Sequence, residues 1–363
     1  MADSAKIWLN RINALQPQPL RILNVCGGHE RSLSQAGLRS LLPEGVELIP
    51  GPGCPVCVCP EEDIYHAIQL ALHEKVTLVA FGDMLRVPVN VGKQGVRSLA
   101  QARAQGADIR PIATPQQALA LARDNPGRQI IFFVAGFETT LAPVAAMVAE
   151  GIPDNLLLLI SGRLTWPAVA LLLHSGEIGF DALIAPGHVA TVMGANEWQF
   201  VVNDHQIPVA VAGFSPESLL AGFWSVMRQR QERRLFVDNC YSELVTPQGN
   251  VRAQQWLQQV FTIIAANWRG IGTIADSGYA LQPRYIAHDA RQHYPDYAND
   301  ARHRAGEMPP GCGCAAVILG RQYPHQCQLY GNPCTPRSPV GPCMVSDEGA
   351  CHIWWEHSPV NGV

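Results

Sequence analysis

Short apolar runs recur along the first two thirds of the chain, and their spacing limits the fold more than any other feature. They fall at Ile22–Val25, Val46–Ile49, Val76–Phe81 and Ile109–Ala113, then at Ile130–Ala135, Leu156–Ile160, Ala182–Ala185 and Val209–Ala212. Their starts are about 24 to 33 residues apart in the first set and about 26 or 27 in the second. That is the period of a βα unit, and unbroken apolar strands suit a parallel sheet covered on both faces. The repetition predicts an α/β fold: two similar parallel-sheet βα domains, residues 21–120 and 121–214, facing a cleft. Residues 1–20 and 215–363 are expected to form a mainly helical third domain that ends in a cysteine-rich tail. Within it Ser215-Pro216-Glu217 reads as a helix start, and a second helix is expected over Val251 to Asn267. The spacing of Ile7, Trp8, Ile12 and Leu15 predicts an N-terminal helix that packs on this region.

Apolar residues make up 47% and charged residues 15% of the 363, with a formal net charge of −4. Such a balance suits a compact protein and gives no reason to expect a nucleic-acid or anionic-membrane partner. The one basic run, Arg228 to Arg234, contains Glu232 and reads as a solvated helical face. No apolar run reaches the roughly 18 residues of a membrane helix, and the first residues lack a signal-peptide pattern. The expected location is therefore the cytoplasm. In a reducing compartment, 11 cysteines point to metal binding or redox chemistry rather than structural disulfides.

Ligands of doubly wound sheets bind beyond the carboxyl ends of the strands, which directs attention to the segments that follow them. These hold Cys26, His29, Glu30, Cys54, Cys57, Asp83, Arg86, Glu138 and His188. Cys26 with His29, in CGGHE, suits a nucleophile or a metal ligand; the alternative is a small buried hydrophobe after a strand. Cys54-Pro-Val-Cys57 has the spacing of a redox disulfide, and equally of half a zinc knuckle. Cys59 reads as a bystander thiol and Cys240 as structural, whereas His188 and Glu138 suit a fold-stabilising hydrogen bond as well as a functional role. In the tail, Cys312, Cys314, Cys327, Cys334, Cys343 and Cys351 are separated by 1, 12, 6, 8 and 7 residues. Four thiolates suit tetrahedral zinc or an iron–sulfur cluster, and long irregular spacing without paired knuckles favours the cluster over zinc or plain disulfides. Six thiols for four positions would leave a spare pair. No Walker loop, dinucleotide fingerprint or G-x-S-x-G elbow is present.

The stretches VCGGHE, PGPGCPVCV, FGDMLRVP, KQG, GFETT, APGHV and VAGF, with a tail that closes on MVSDEGAC, resemble the HypD family of NiFe-hydrogenase maturation factors. The resemblance covers nearly the whole chain. It implies a scaffold that works with a HypC-type chaperone, on which an iron ion receives cyanide and carbon monoxide. Cyanide would come from HypE as a C-terminal thiocyanate, and the Fe(CN)2CO unit would pass on to the hydrogenase large subunit. Carried onto this sequence, Cys26 would bind the iron, shared with a cysteine of the chaperone, and His29 would tune that thiolate or steer the thiocyanate. Cys54 and Cys57 would be the thiol pair that exchanges electrons near the iron. Cys314, Cys327, Cys334 and Cys351 would hold a 4Fe-4S cluster, leaving Cys312 and Cys343 as a spare disulfide, similar to ferredoxin:thioredoxin reductase. Glu30, where many relatives carry threonine, and Cys59 depart from the family pattern. A competing expectation is an iron–sulfur-dependent protein disulfide reductase, in which Cys26 and His29 have no part. A third is a zinc-bound interaction module.

Overall fold

The structure is a computed structural model that describes residues 3–92, 94–174, 178–298 and 308–357. Each of the eight apolar runs is a strand: β1 (Leu20–Asn24), β2 (Val46–Pro50), β3 (Val76–Phe81), β4 (Ile109–Ile112), β5 (Gln129–Gly136), β6 (Leu156–Gly162), β7 (Ala182–Pro186) and β8 (Val209–Ala212). A short β9 (Val237–Asn239) follows. They form two parallel sheets, ordered β2-β1-β7-β8-β9 and β4-β3-β5-β6. Helices cover both, so strand interiors such as Ile22, Leu78, Phe132 and Leu158 are wholly buried, each such side chain contributing about 1.5–3 kcal/mol.

Sheet membership does not follow the expected boundary at residue 120. The chain lays down β1 and β2, leaves to build the whole of the second sheet, and returns so that β7 pairs with β1. Apolar period reports that βα units exist but carries no information on which strand neighbours which. The order has a functional consequence. The connections from β1 and β7 leave in opposite directions, as do those from β3 and β5. Each sheet thus has a crevice beyond the carboxyl ends of those strands.

The helix Pro216–Glu232 starts as expected, with the Ser215 hydroxyl accepting from the Ser218 N–H. It lies on β7 and β8 and carries the N-terminal helix Asp3–Leu15 on its outer side. Trp8 and Trp224 meet at 5.4 Å between ring centroids, and Arg11 lies 4.6 Å over Trp8. Arg228 caps Trp224 at 4.5 Å, and Arg230 pairs with Asp181 at 3.0 Å, so the basic run serves the helix surface.

The helix expected over Val251 to Asn267 stops at Val260. From there β10 (Phe261–Trp268) and β11 (Gly272–Leu281) form an antiparallel ribbon. The run Phe-Thr-Ile-Ile suits a strand better than a helix, because β-branched side chains lose rotamer freedom in a helix. Gly278 bridges to Arg163, which ties the ribbon to the end of β6. Among the described residues no helix is long and apolar enough to cross a membrane.

Candidate metal and thiol centre

Cys26 lies at the crevice between β1 and β7, where it caps the helix Gly27–Gln35 with extended backbone (φ −95°, ψ 127°). Backbone N–H groups of Gly28 and His29 reach its sulfur and favour the thiolate. Burial outweighs them and, with the Glu348 carboxylate nearby, pushes the thiol up to about 12. Cys26 therefore keeps its proton until a cation replaces it.

The loop that carries Cys54 is pinned to the same strand end. Gly51 N–H donates to the Asn24 carbonyl at 2.8 Å, and Gly27 N–H to the Gly53 carbonyl at 3.3 Å. Gly53 presses so closely on Val25 that an added Cβ would overlap its carbonyl. Only glycine fits there, which explains the Gly-Pro-Gly that precedes the cysteines. Cys54 caps the one-turn helix Pro55–Val58 and is bonded to Cys57 in a disulfide, Cα to Cα 5.3 Å. Both are buried, at 3% and 0% exposure.

His29 is also buried, and its ring is fully engaged. Nε2 donates to the Ala212 carbonyl at 2.9 Å, and Nδ1 faces the Asn24 amide at 3.2 Å. Burial drives the imidazole down to about 3, so it is neutral. Phe214 lies between it and exposed His188, with ring centroids 4.7 Å and 3.8 Å away. The ring fixes the loop to β8, while the backbone N–H, rather than the imidazole, addresses Cys26. The ring nitrogens are thus taken by Asn24 and Ala212, and what His29 presents to Cys26 is its backbone N–H. Glu138 is satisfied within the fold, accepting from the Thr165 N–H and hydroxyl at 2.6 and 2.7 Å. Cys59 lies buried, 3.4 Å from the Ser161 hydroxyl.

The cysteine tail folds back onto these loops. Glu30, buried, takes Arg39 at 2.5 Å and the Trp354 indole N–H at 2.9 Å, which docks the final helix Ala350–His357 on Gly27–Gln35. The Ser346 hydroxyl donates to Asp83 at 2.8 Å, and the Arg86 guanidinium donates to the Pro336 carbonyl. Through these contacts the loop after β3 grips the tail. Glu348 ends up beside Gly27 and Cys26. It also lines a cavity of about 650 Å³ with Pro55, Val56, Phe81, Asp83 and Ser346, at the carboxyl ends of the second sheet. Burial and the neighbouring Asp347 and Asp83 raise its carboxyl to about 7, against Arg31. Glu348 was not singled out from the sequence; its signal there is an acidic side chain three residues before Cys351.

Cys314, Cys343 and Cys351 are buried with their sulfurs within 4.8 Å of one another, and they could hold a metal ion. Gly341 packs against Cys312 and Cys314, where a Cβ would sit 2.7 Å from the Cys314 sulfur. Cys312, hydrogen-bonded by the Cys314 thiol and backbone, falls to about 7. Cys327 accepts from the Gly313 N–H at 3.2 Å and Cys334 from the Val340 N–H at 3.4 Å. Cys334 is raised mainly by burial, and Cys312 and Cys327 are close enough to add to it. The six thiols therefore form one knot. The expected Cys312–Cys343 disulfide is not formed: both are free, and both lie against Cys314. Spacing along the chain did not foretell this, because the turn Pro342–Met344 carries Cys343 inward beside the final helix. A buried, all-sulfur donor set with N–H groups aimed at several sulfurs fits a thiolate-bound metal or iron–sulfur centre.

Residues 3–358 match the family described as "HypD: Hydrogenase formation hypA family". The chain is 40% identical over 348 residues to Hydrogenase maturation factor HypD of Escherichia coli (strain K12), covering 94% of this chain and 90% of that protein. It is 38% identical over 362 residues to Hydrogenase maturation factor HypD of Rhodobacter capsulatus, covering 98% and 94%. To Hydrogenase maturation factor HypD of Azotobacter vinelandii it is 37% identical over 347 residues, covering 93% and 89%. The full-length match and the cysteine geometry agree: the chain belongs to the HypD family of hydrogenase maturation factors.

Proposed function

We propose that this chain is the scaffold on which Cys26 holds an iron ion while cyanide and carbon monoxide are attached to it, in company with a HypC-type chaperone and HypE. The supporting observation is the pinning of the Cys26 and Cys54 loops by Gly51 and Gly53, which sets a metal-seeking thiol against a buried thiol pair. Binding iron releases the Cys26 proton. Glu348, half-ionised near pH 7, is placed to accept it.

The thiol pair supplies the electrons that cyanide release requires. A donor thiocyanate R–S–CN and the Cys54/Cys57 dithiol give R–SH, HCN and the Cys54–Cys57 disulfide: two electrons move and every atom is retained. The disulfide is thus the spent form of the pair. A 4Fe-4S cluster bound in the cysteine knot would supply single electrons from an external donor to restore the dithiol. The reading that keeps closest to the geometry takes Cys314, Cys327, Cys334 and Cys351 as its ligands: Cys314 and Cys351 belong to the buried sulfur triad, and backbone N–H groups reach Cys327 and Cys334. Cys312 and Cys343 then remain as the spare pair. The protein disulfide reductase alternative is disfavoured by burial, since Cys54 and Cys57 at 3% and 0% exposure offer no sulfur to a bulky protein disulfide.

The test is complementation of a strain that lacks its own maturation factor. Cys26→Ala is expected to abolish hydrogenase activity, at least about a hundredfold, while the isolated variant keeps its Cys54–Cys57 disulfide and the metal of the cysteine knot. Activity within a few-fold of wild type would overturn the assignment of Cys26.

A further inference from the structure

Arg269 is an arginine that neither the motifs nor the iron chemistry account for. It is wholly buried. Its Nη2 donates to the Pro88 carbonyl at 2.8 Å and to Glu61 at 3.2 Å, yet Nε and Nη1 have no partner. A buried guanidinium with unsatisfied N–H groups is costly, so an acceptor is to be expected beside it.

The position of Arg269 says what that acceptor is. Its backbone N–H donates to the Val58 carbonyl at 3.0 Å, which fastens it to the turn bearing Cys54 and Cys57. The next residue, Gly270, adopts φ +79° and packs so tightly that an added Cβ would lie 2.7 Å from the Cβ of Ala315, the residue after Cys314. Residues 269–270 are thus clamped between the disulfide turn and the cysteine knot.

We propose that Arg269 is the buried counter-cation of the cysteine centre, its free N–H groups directed to that centre's anionic sulfur, and that it sets the centre's reduction potential. Reduction adds a negative charge, which a fixed cation in a dry site stabilises, raising the potential. Glu61 offsets part of that cation and so acts in the opposite sense. This rests on the reading of the knot as a redox centre.

The test is an anaerobic potentiometric titration of the full-length protein, following the visible absorbance of the centre. Arg269→Met should make reduction about tenfold less favourable, or about 59 mV more negative for one electron. Arg269→Lys, which keeps the charge, should stay within about threefold of wild type. Glu61→Gln keeps the acceptor for the Asn90 N–H, so it should fold, and it should make reduction about threefold more favourable, a positive shift of the potential. Unmoved potentials, or shifts of the same sign in Arg269→Met and Glu61→Gln, would overturn the inference. Should Arg269→Met fail to accumulate, the sign of the Glu61→Gln shift decides. Wild-type protein lacking acid-labile sulfide would instead remove the redox centre itself, and the inference with it.

Discussion

Gly53 shows how much of the site depends on a missing side chain. An added Cβ would overlap the Val25 carbonyl, so Gly53→Ala must push the Cys54 loop off the Cys26 loop. The expected cost is about 2–4 kcal/mol of stability, in the range of overpacking and lost backbone bonds, with maturation activity falling in parallel. Urea unfolding and complementation together check this, and a variant with wild-type values in both would contradict the pinning. At this scale the sequence was most legible where residue type dictates chemistry. Cys26 and the Cys54–Cys57 pair stand out by thiol and glycine content alone. The orientation of His29 was not legible, because adjacency to Cys26 does not reveal which way a ring turns; its nitrogens point to Asn24 and Ala212. Glu348 was hidden because its raised carboxyl comes from burial beneath distant segments.

Among the elements, the C-terminal helix decides whether the knot faces the cleft. Glu30 joins it to the helix behind Cys26 through Arg39 and Trp354, and both donors lose their acceptor in Glu30→Ala. About 2–4 kcal/mol of destabilisation is expected. Limited proteolysis should then release residues near 350–357 faster than in wild type; equal rates would contradict the docking role. Strands were legible as short continuous apolar runs at βα spacing, the pattern of a parallel sheet covered on both faces. The ribbon β10–β11 was not, because the helical spacing of Ala253, Leu257 and Val260 runs directly into a β-branched stretch. The split of tail cysteines was also illegible, since spacing counts residues while ligation depends on where turns aim the sulfurs.

Taken whole, the molecule threads one chain twice through its first sheet, and its cleft is built from segments 20 to 350 residues along. Period alone could not show this, because β1 finds β7 only through tertiary packing. A global property follows from buried carboxyls. Glu197, desolvated and near Glu138, has its carboxyl raised from 4.5 to about 7. Between those values the native state holds a proton that the unfolded chain has released, so stability falls as pH rises through the window. The fall attributable to Glu197 is at most about 3 kcal/mol. Glu197→Gln should flatten it and be the more stable protein at pH 8; identical pH slopes in denaturant unfolding would contradict this.

On the proposed reading, one thiol holds the iron under assembly while a separate cysteine knot holds a resident centre. Iron, zinc and acid-labile sulfide, measured on anaerobically isolated wild type and Cys26→Ala with the chaperone bound, test it most directly. About four irons and four sulfides in both proteins, with about one further iron only in wild type, is the predicted result. Zinc without sulfide, or the same iron content in both, would contradict it.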